Sequence, residues 1–390
     1  MGGVDELVSY NLWSGGSPHA IVTGRPGSGK SGFLNDLAAD CLRDNQTRVV
    51  ILDRYHGFDS LVTLSTDGRR WDSRAAMFDP CVGSENQVVG FLPEFIDLIQ
   101  SKRGQKPLTA DERSLLITAI RTTFQQCRLS AQNTPAIALS TLVDTMDTST
   151  VAGEALSDYL ASRVALSDEK GTMVREAASS QLSAFTAETR SELLNMTAAA
   201  CLLQAIARDL DNTQTWTRTV LIIDDAWMFL SDTIVSAMIL RLVRQSHAQR
   251  LAVVCCTTVL SDFLQTVNGS EILRSAGHRF LFRQQESDAA TMLALTDEQA
   301  QLLQSVTTIP GQYAEALYQR MPDGESQVMQ VVYDAHFRWV VTQNAREKHR
   351  RRHLEQEFRL RGLTPRDAMI AAVDFCVQEE GLFPQVTQPS

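Results

Sequence analysis

The chain has 390 residues, of which 44% are hydrophobic and 21% charged. That is ordinary for a globular protein and enough for one large core or two moderate ones. A formal net charge of −10 argues against a surface built broadly for nucleic acid. No apolar run approaches the roughly 18 residues of a membrane span, and MGGVDELVSY at the start lacks the basic-then-apolar order of a signal peptide. The cysteines (41, 81, 127, 201, 255, 256 and 376) are scattered and have no C-x-x-C spacing. They read as free thiols of a reducing cytoplasm, with neither a disulfide framework nor a zinc site.

The first strand-like run ends at Ile21-Val22-Thr23, and Gly24-Arg25-Pro26-Gly27-Ser28-Gly29-Lys30-Ser31 follows it. This is a full G-x-x-x-x-G-K-[ST] pattern. At average residue frequencies it arises by chance in roughly one or two chains per hundred of this length. Here it also lies between a strand and the helical pattern Ser31 to Arg43, as its chemistry requires. Glycines let the loop wrap so that successive backbone N–H groups face phosphate oxygens. The helix adds its positive dipole end, with Gly32 in the first turn. Lys30 is placed for the β- and γ-phosphates of ATP, and the Ser31 hydroxyl for Mg2+. The stretch is read as a nucleotide-binding P-loop.

Four further runs are short, continuous and apolar: RVVILD (Arg48 to Asp53), TVLIID (Thr219 to Asp224), LAVVCCT (Leu251 to Thr257) and HRFLF (His278 to Phe282). Strands buried on both faces of a parallel sheet read this way. Helical patterns alternate with them, among them Ile234 to Arg244, so the fold class is α/β and doubly wound. Between Asp53 and Thr219 strand signals are few. NQVVGFLPEFIDLIQ, TADERSLLITAIRTTFQQC and ELLNMTAAACLLQAIARDL read as helices, and Thr109 with Glu112 forms a capping-box pattern ahead of the second. An all-α insertion is therefore expected. Past Phe282 come a helical pair (Ser287 to Gln304), a hairpin turned by Pro322-Asp323-Gly324, and a helical tail. The tail carries REKHRRRHLEQEFRLR, Arg346 to Arg361, either a solvated helix face or a contact to a partner, membrane surface or nucleic acid.

The division expected is 1–84, the first part of the ATPase core; 85–210, the all-α insertion; 211–335, the second part of the core; and 336–390, the tail. A partner carboxylate for the P-loop should end another central strand, and TVLIIDDAW supplies it. Asp224 is expected to hold Mg2+, directly or through water, and Asp225 to polarise the attacking water, work usually given to Glu. Asp53 ends a strand and either touches nucleotide or water or caps the chain. Trp227 is expected to pack behind the site.

IIDDAWMFL, followed by RLVRQSHAQRLAVVCCTTVLSDFL and later by LALTDEQAQLLQSV, resembles the large ATPases of conjugative type IV secretion systems, the fourth VirB component and its TraC/TrbE relatives. The resemblance covers about residues 8 to 335. It implies a RecA-like P-loop NTPase core with a mainly parallel sheet, an inserted all-α domain and a helical C-terminal tail. It implies an ATP- and Mg-dependent motor working as a homo-oligomer, most plausibly a hexameric ring. The partners implied are other inner-membrane and ATPase components of the secretion system, at the cytoplasmic face of the bacterial inner membrane, with membrane association only through them. In such rings a neighbour's arginine completes the site, and by the resemblance Arg244 is that residue, with Arg241, Arg250 and Arg274 competing. Asp225 stands where the family has Glu, Thr258 where it has the Gln that senses the γ-phosphate, and Cys255-Cys256 where it has small apolar residues. The family's large N-terminal domain is not expected within this sequence. These departures imply slow turnover or activity only in the assembled machine. Two other readings share the core: a DNA-translocating ATPase of the coupling-protein or HerA/FtsK type, and a nucleotide-binding structural subunit with little turnover. DNA is a possible partner that the net charge does not favour.

Overall fold

In the computed structural model the described residues are 11–14, 16–72, 79–129, 137–164, 180–187, 191–211, 216–245, 250–286 and 288–382. The strands are β1 (Ala20–Thr23), β2 (Thr47–Asp53), β3 (Arg69–Asp72), β4 (Leu182–Thr186), β5 (Arg218–Ile223), β6 (Leu251–Thr257), β7 (His278–Phe282), β8 (Thr308–Ile309), β9 (Tyr313–Arg320) and β10 (Glu325–Val332). They form one sheet in the order β10-β9-β7-β1-β6-β5-β2-β4-β3, with β8 beside β9. From β7 to β3 every pairing is parallel; β9, β10 and β8 add antiparallel pairings. The expected α/β sheet is present, and the five apolar runs are its central strands. The hairpin expected at Pro322-Asp323-Gly324 joins β9 to β10.

Helix α1 (Lys30–Cys41) buries Phe33, Leu34, Leu37 and Ala38, one helical stripe facing the sheet. That stripe shares an apolar cluster with Val22, Val220, Ile222, Val254 and Phe280. The alternate residues Ile21, Leu221, Ile223, Val253 and Leu281 point the other way. They join a larger cluster with Phe91, Phe95, Leu156, Tyr159, Leu203, Phe263 and Ile272. The chain therefore leaves β1 over one face and passes from β6 to β7 over the other. That reversal opens a crevice at the carboxyl ends of β1 and β6, where ligands bind in open α/β sheets.

The segment 85–210 is not all-helical, contrary to the sequence expectation. After α2 (Asp59–Leu64), which precedes this segment, helices α3 (Glu85–Lys102), α4 (Ala110–Leu129), α5 (Leu139–Thr145), α6 (Val151–Val164) and α7 (Glu192–Asp211) are there. So is β4, fully buried between β2 and β3. Its sequence, LSAFT, mixes apolar residues with small hydroxyl residues and carries no run of strand formers. Pairing on both sides decides its conformation, not propensity. The helices also share the larger cluster with the sheet face. The capping box at Thr109 is formed: the Thr109 N–H donates to Glu112 Oε2 at 2.7 Å, and the Glu112 N–H to Thr109 Oγ1 at 3.3 Å.

Beyond β5 come α8 (Trp227–Leu230) and α9 (Thr233–Gln245), and between β6 and β7 come α10 (Ser261–Leu264) and α11 (Val267–Ser275). The helical pair past β7 is α12 (Ala289–Met292) and α13 (Asp297–Ser305); Ser287 lies outside the described residues. The tail folds as α14 (Ala335–Val341), α15 (Ala345–Leu360) and α16 (Pro365–Leu382) around Trp339, Val341, Met369, Val373 and Cys376. The basic stretch forms α15, and part of its charge is used inside the chain. Arg351 is buried and donates to the carbonyls of Trp339 and Val340, to Ser60 Oγ at 2.7 Å and to Glu355 at 2.9 Å. Arg350 pairs with Glu379 and Arg352 with Asp59.

Candidate active site

The carboxyl ends of β1, β6, β5 and β2, four adjacent strands, set the site, at about 4.8 Å per strand. The P-loop leaves β1. Gly24 is pinned from behind, since a Cβ there would lie 2.6 Å from Phe282 Cβ. The Arg25 N–H donates to the Arg283 carbonyl at 2.8 Å. Gly29 has φ 102°, and a Cβ there would lie 2.3 Å from Ala314 Cβ; both demands leave only glycine. Gly32 lies against Tyr333, whose hydroxyl would be 2.8 Å from an added Cβ.

Three features of this loop fit a polyphosphate. No side chain caps the N-terminus of α1, and its first turn holds no acidic residue, so the first-turn N–H groups and the positive dipole end face outward. Ser28 Oγ is buried without a hydrogen-bond partner. Lys30 is 8% exposed, and its ammonium donates to the carbonyls of Gly24 and, at 3.1 Å, Arg25. A cation is thereby held at the mouth of the loop.

At the end of β5, Asp224 is tied in by its own N–H, which donates to the Leu52 carbonyl at 2.9 Å, and its Oδ1 accepts the Asp225 N–H at 3.1 Å. Burial, then the charges of Asp53 and Asp225, push the Asp224 carboxyl up to about 7. A thiol contact from Cys256 opposes this. Asp53 is close by: a Cβ at Gly57 would lie 3.8 Å from both Asp53 carboxylate oxygens and 4.0 Å from Asp224 Oδ2. Asp53 also accepts the Tyr55 N–H at 2.9 Å, which makes it a cap of the following turn. Burial raises its carboxyl. Asp225 has φ 52°, a left-handed conformation that Asp tolerates better than most residues and that gathers at functional sites. Burial raises it, while Arg54 and then Lys30 hold it down.

Thr258 is the first residue past β6, at the same edge. Its neighbour Thr257 donates through its hydroxyl to Asp262. Glu286 receives the N–H groups of Leu260 at 2.6 Å and Ser261 at 3.2 Å. Ser31, in the first turn of α1, is half-buried. Among the described residues no group of three or more His, Cys, Asp or Glu side chains could hold a metal ion. This donor set suits Mg2+, which takes one or two protein oxygens and completes its shell with phosphate and water.

The structure brings the P-loop, Asp224, Asp225 and Thr258 to one edge, but not Arg244. That arginine is in the last turn of α9, at the opposite end of the sheet. Its side chain is 63% exposed and pairs with Glu271 at 3.5 Å, which Arg274 also engages. Arg241 pairs with Glu94 at 2.7 Å, and Arg250 donates to the Leu210 carbonyl at 3.2 Å. The site also holds Arg54, which sequence reasoning passed over. Its guanidinium lies 5.0 Å from the centroid of Trp227 and 4.8 Å from that of Tyr55. Its position straight after RVVILD, at the end of a strand beside the Asp224 strand, was the available signal. Trp227, expected to pack behind the site, is 38% exposed and holds Arg54 instead.

This crevice, loop and carboxylate arrangement defines a RecA-like P-loop nucleoside-triphosphatase fold. Among solved structures the chain is similar to VirB4 of Thermoanaerobacter pseudethanolicus, with TM-score 0.65 at 17% identity over 85% of this chain and 94% of that one. The two share their fold. Weaker similarities are to the plasmid coupling protein TrwB in complex with ADP and Mg2+ (0.47, 14%, covering 81% and 85%). The genome packaging NTPase B204 of Sulfolobus turreted icosahedral virus 2 in complex with sulfate is another (0.41, 10%, covering 81% and 97%). No protein-family model and no curated protein matches the chain. Among the described residues no helix is long and apolar enough to cross a membrane.

Proposed function

We propose that the chain is an ATP-hydrolysing motor subunit that energises assembly of, or transfer through, a type IV secretion or conjugation apparatus. The observation that carries this is a complete phosphate loop set in a fold shared with VirB4 along nearly its whole length. In this reading the backbone from Gly24 through Gly32 cradles the phosphates, and Lys30 leaves the loop carbonyls for the β- and γ-phosphates. Ser31 and Asp224 hold Mg2+. The cation supplies charge neutralisation on the phosphate oxygens. Asp225 orients and polarises the attacking water, and Thr258, beside it, lies toward the γ-phosphate. Arg244 sits far from its own loop, so it serves only a neighbour's site, in a homo-oligomeric ring. A hexamer docked on the secretion system's inner-membrane components at the cytoplasmic face follows from the same reading.

The test is steady-state phosphate release by the wild type and by Lys30→Ala, each with and without single-stranded and duplex DNA. DNA-independent turnover that Lys30→Ala abolishes, with an unchanged circular dichroism spectrum, is expected. Equal turnover by a folded Lys30→Ala protein removes the site assignment, and strong DNA stimulation moves the reading to a DNA translocase.

A further inference from the structure

We infer that Arg54 is a second catalytic cation, supplied in cis, that engages the terminal phosphoryl group of the bound nucleoside triphosphate. The inference rests on the nucleotide-site reading above and adds a residue to it.

Position comes first. Arg54 is the first residue beyond β2, and β2 pairs with β5 so that Leu52 lies opposite Ile223. Arg54 therefore emerges beside Asp224 and Asp225, on the edge that carries the P-loop.

The way Arg54 is held comes second. It stacks on the faces of Tyr55 and Trp227 and, among the described residues, makes no hydrogen bond or ion pair. Contact with ring faces does not consume the N–H donors of a guanidinium, which stay available. Arranged as a fork, they suit a planar pair of phosphoryl oxygens. The two ring contacts restrain the side chain before ligand arrives, which lowers the rotamer freedom to be lost on binding. The other arginines considered for this work are engaged: Arg241 and Arg244 with glutamates, and Arg250 with a backbone carbonyl.

Charge balance comes third. Asp53, Asp224 and Asp225 crowd this edge: a Cβ at Gly57 would lie 3.8 Å from both Asp53 carboxylate oxygens and 4.0 Å from Asp224 Oδ2, and Asp225 follows directly in the chain. A triphosphate entering here meets like charge on the β5 side and Lys30 on the β1 side. A cation on the β5–β2 side offsets the repulsion where the terminal phosphate and its departing charge lie.

The experiment measures equilibrium binding of Mg-ADP and Mg-ATPγS to the full chain, by competition with a fluorescent nucleotide, alongside phosphate release. Arg54→Ala is expected to keep its ADP affinity within about twofold and to lose about tenfold of its preference for ATPγS over ADP, the scale of one charge-assisted contact. Arg54→Lys should recover part of that preference, and Trp227→Ala, which frees the guanidinium, should lose part of it. Mixing Arg54→Ala with Lys30→Ala should restore no hydrolysis, because a cis residue and its own loop must be intact in one chain. An unchanged ATPγS-to-ADP ratio in Arg54→Ala, an Arg54→Lys that recovers nothing, or recovery on mixing overturns the inference. The failure of the underlying reading looks different: a Lys30→Ala protein that binds both nucleotides as the wild type does removes the nucleotide site, whatever Arg54 does.

Discussion

The two ends of the same parallel strands are built to opposite rules. At the amino ends most buried polar side chains find partners inside the chain, although Arg279 Nε and Arg320 Nε are buried without one. His19 Nε2–H donates to the Val243 carbonyl at 3.0 Å, and its Nδ1 accepts the Val253 N–H at 3.0 Å. His278 lies between the Tyr318 hydroxyl at 2.9 Å and the Leu12 carbonyl at 3.3 Å. The buried Arg48 pairs with Asp209 at 2.9 Å. At the carboxyl ends are an unpartnered buried hydroxyl, a cation folded onto loop carbonyls, a left-handed aspartate and a carboxyl raised to about 7. Buried groups left in this state cost free energy unless a ligand completes them. One end holds the sheet together; the other stores departures that a charged ligand would relieve.

The largest expected effect would break this division. If Arg244 at the amino end is a trans-acting arginine, Arg244→Ala should lower phosphate release by about 10³ to 10⁵, while stability changes by under about 1 kcal/mol because its ion pair with Glu271 is exposed. Mixing that variant with Lys30→Ala should then restore part of the turnover, since a mixed interface unites one intact loop with one intact arginine. Mixtures that co-assemble by light scattering yet recover nothing would leave the amino end purely structural, and the division complete.

Within the carboxyl end, Asp225→Asn should reduce turnover by about 10² or more, the contribution of a positioned general base, while Mg-ADP affinity holds. Wild-type rates in Asp225→Asn would move the base to Asp53, whose carboxyl shares the same space. A short side chain in a left-handed conformation makes Asp225 the part of the constellation most exposed to this test.

Sequence reading reached the groups whose chemistry is written in consecutive residues. Gly24 to Ser31 is a local pattern, and so is an apolar run ending in Asp224-Asp225. The apolar strands buried on both faces were legible for the same reason. β4 was not, because LSAFT becomes a strand only through its neighbours on both sides. Arg54 was not, because its role depends on Trp227, more than 170 residues away in sequence and brought near only by the β2–β5 pairing. Arg351 shows the converse. It stood in a basic run that suggested a surface, and the fold buries it against carbonyls of α14 and the hydroxyl of Ser60 in the helix after β2.

A smaller effect sharpens the structural half. Burial lowers His19 to about 4, so the unfolded chain binds a proton between about pH 4 and 6.5 that the folded chain refuses. Stability should therefore rise with pH across that window, by about 3 kcal/mol in all. His19→Leu should flatten this limb. It should also cost about 2 to 3 kcal/mol at pH 7.5, because the Val253 N–H and Val243 carbonyl lose their partner. Denaturant unfolding at pH 5 and 7.5 checks both. Turnover per folded molecule should be unaffected; a fall there would place His19 in the working end.

The smallest effect tests the stored cost itself, and its sign is opposite to that of His19. Asp224 is raised from 3.8 to about 7, so here the folded chain holds a proton that the unfolded chain releases. The resulting stability is complete below about pH 4 and is lost as pH climbs through about 7. Asp53 and Asp225 titrate with it as a coupled group. At about 1.4 kcal/mol per unit, reduced for the partial exposure of this edge, the loss is on the order of 2 kcal/mol. Asp224→Asn removes the charge and keeps the shape. Without ligand, the variant should be about as stable as the wild type at pH 4 and more stable at pH 8. Taking the difference between the two proteins cancels the His19 limb, which both share. Mg-nucleotide should then reverse the order at pH 8, because the cation requires the carboxylate that the bare site disfavours. Melting temperatures at the two pH values, with and without Mg-nucleotide, decide it. A variant whose stability tracks the wild type at both pH values would mean that this end of the sheet stores nothing in Asp224, and that its raised carboxyl is incidental to the ligand.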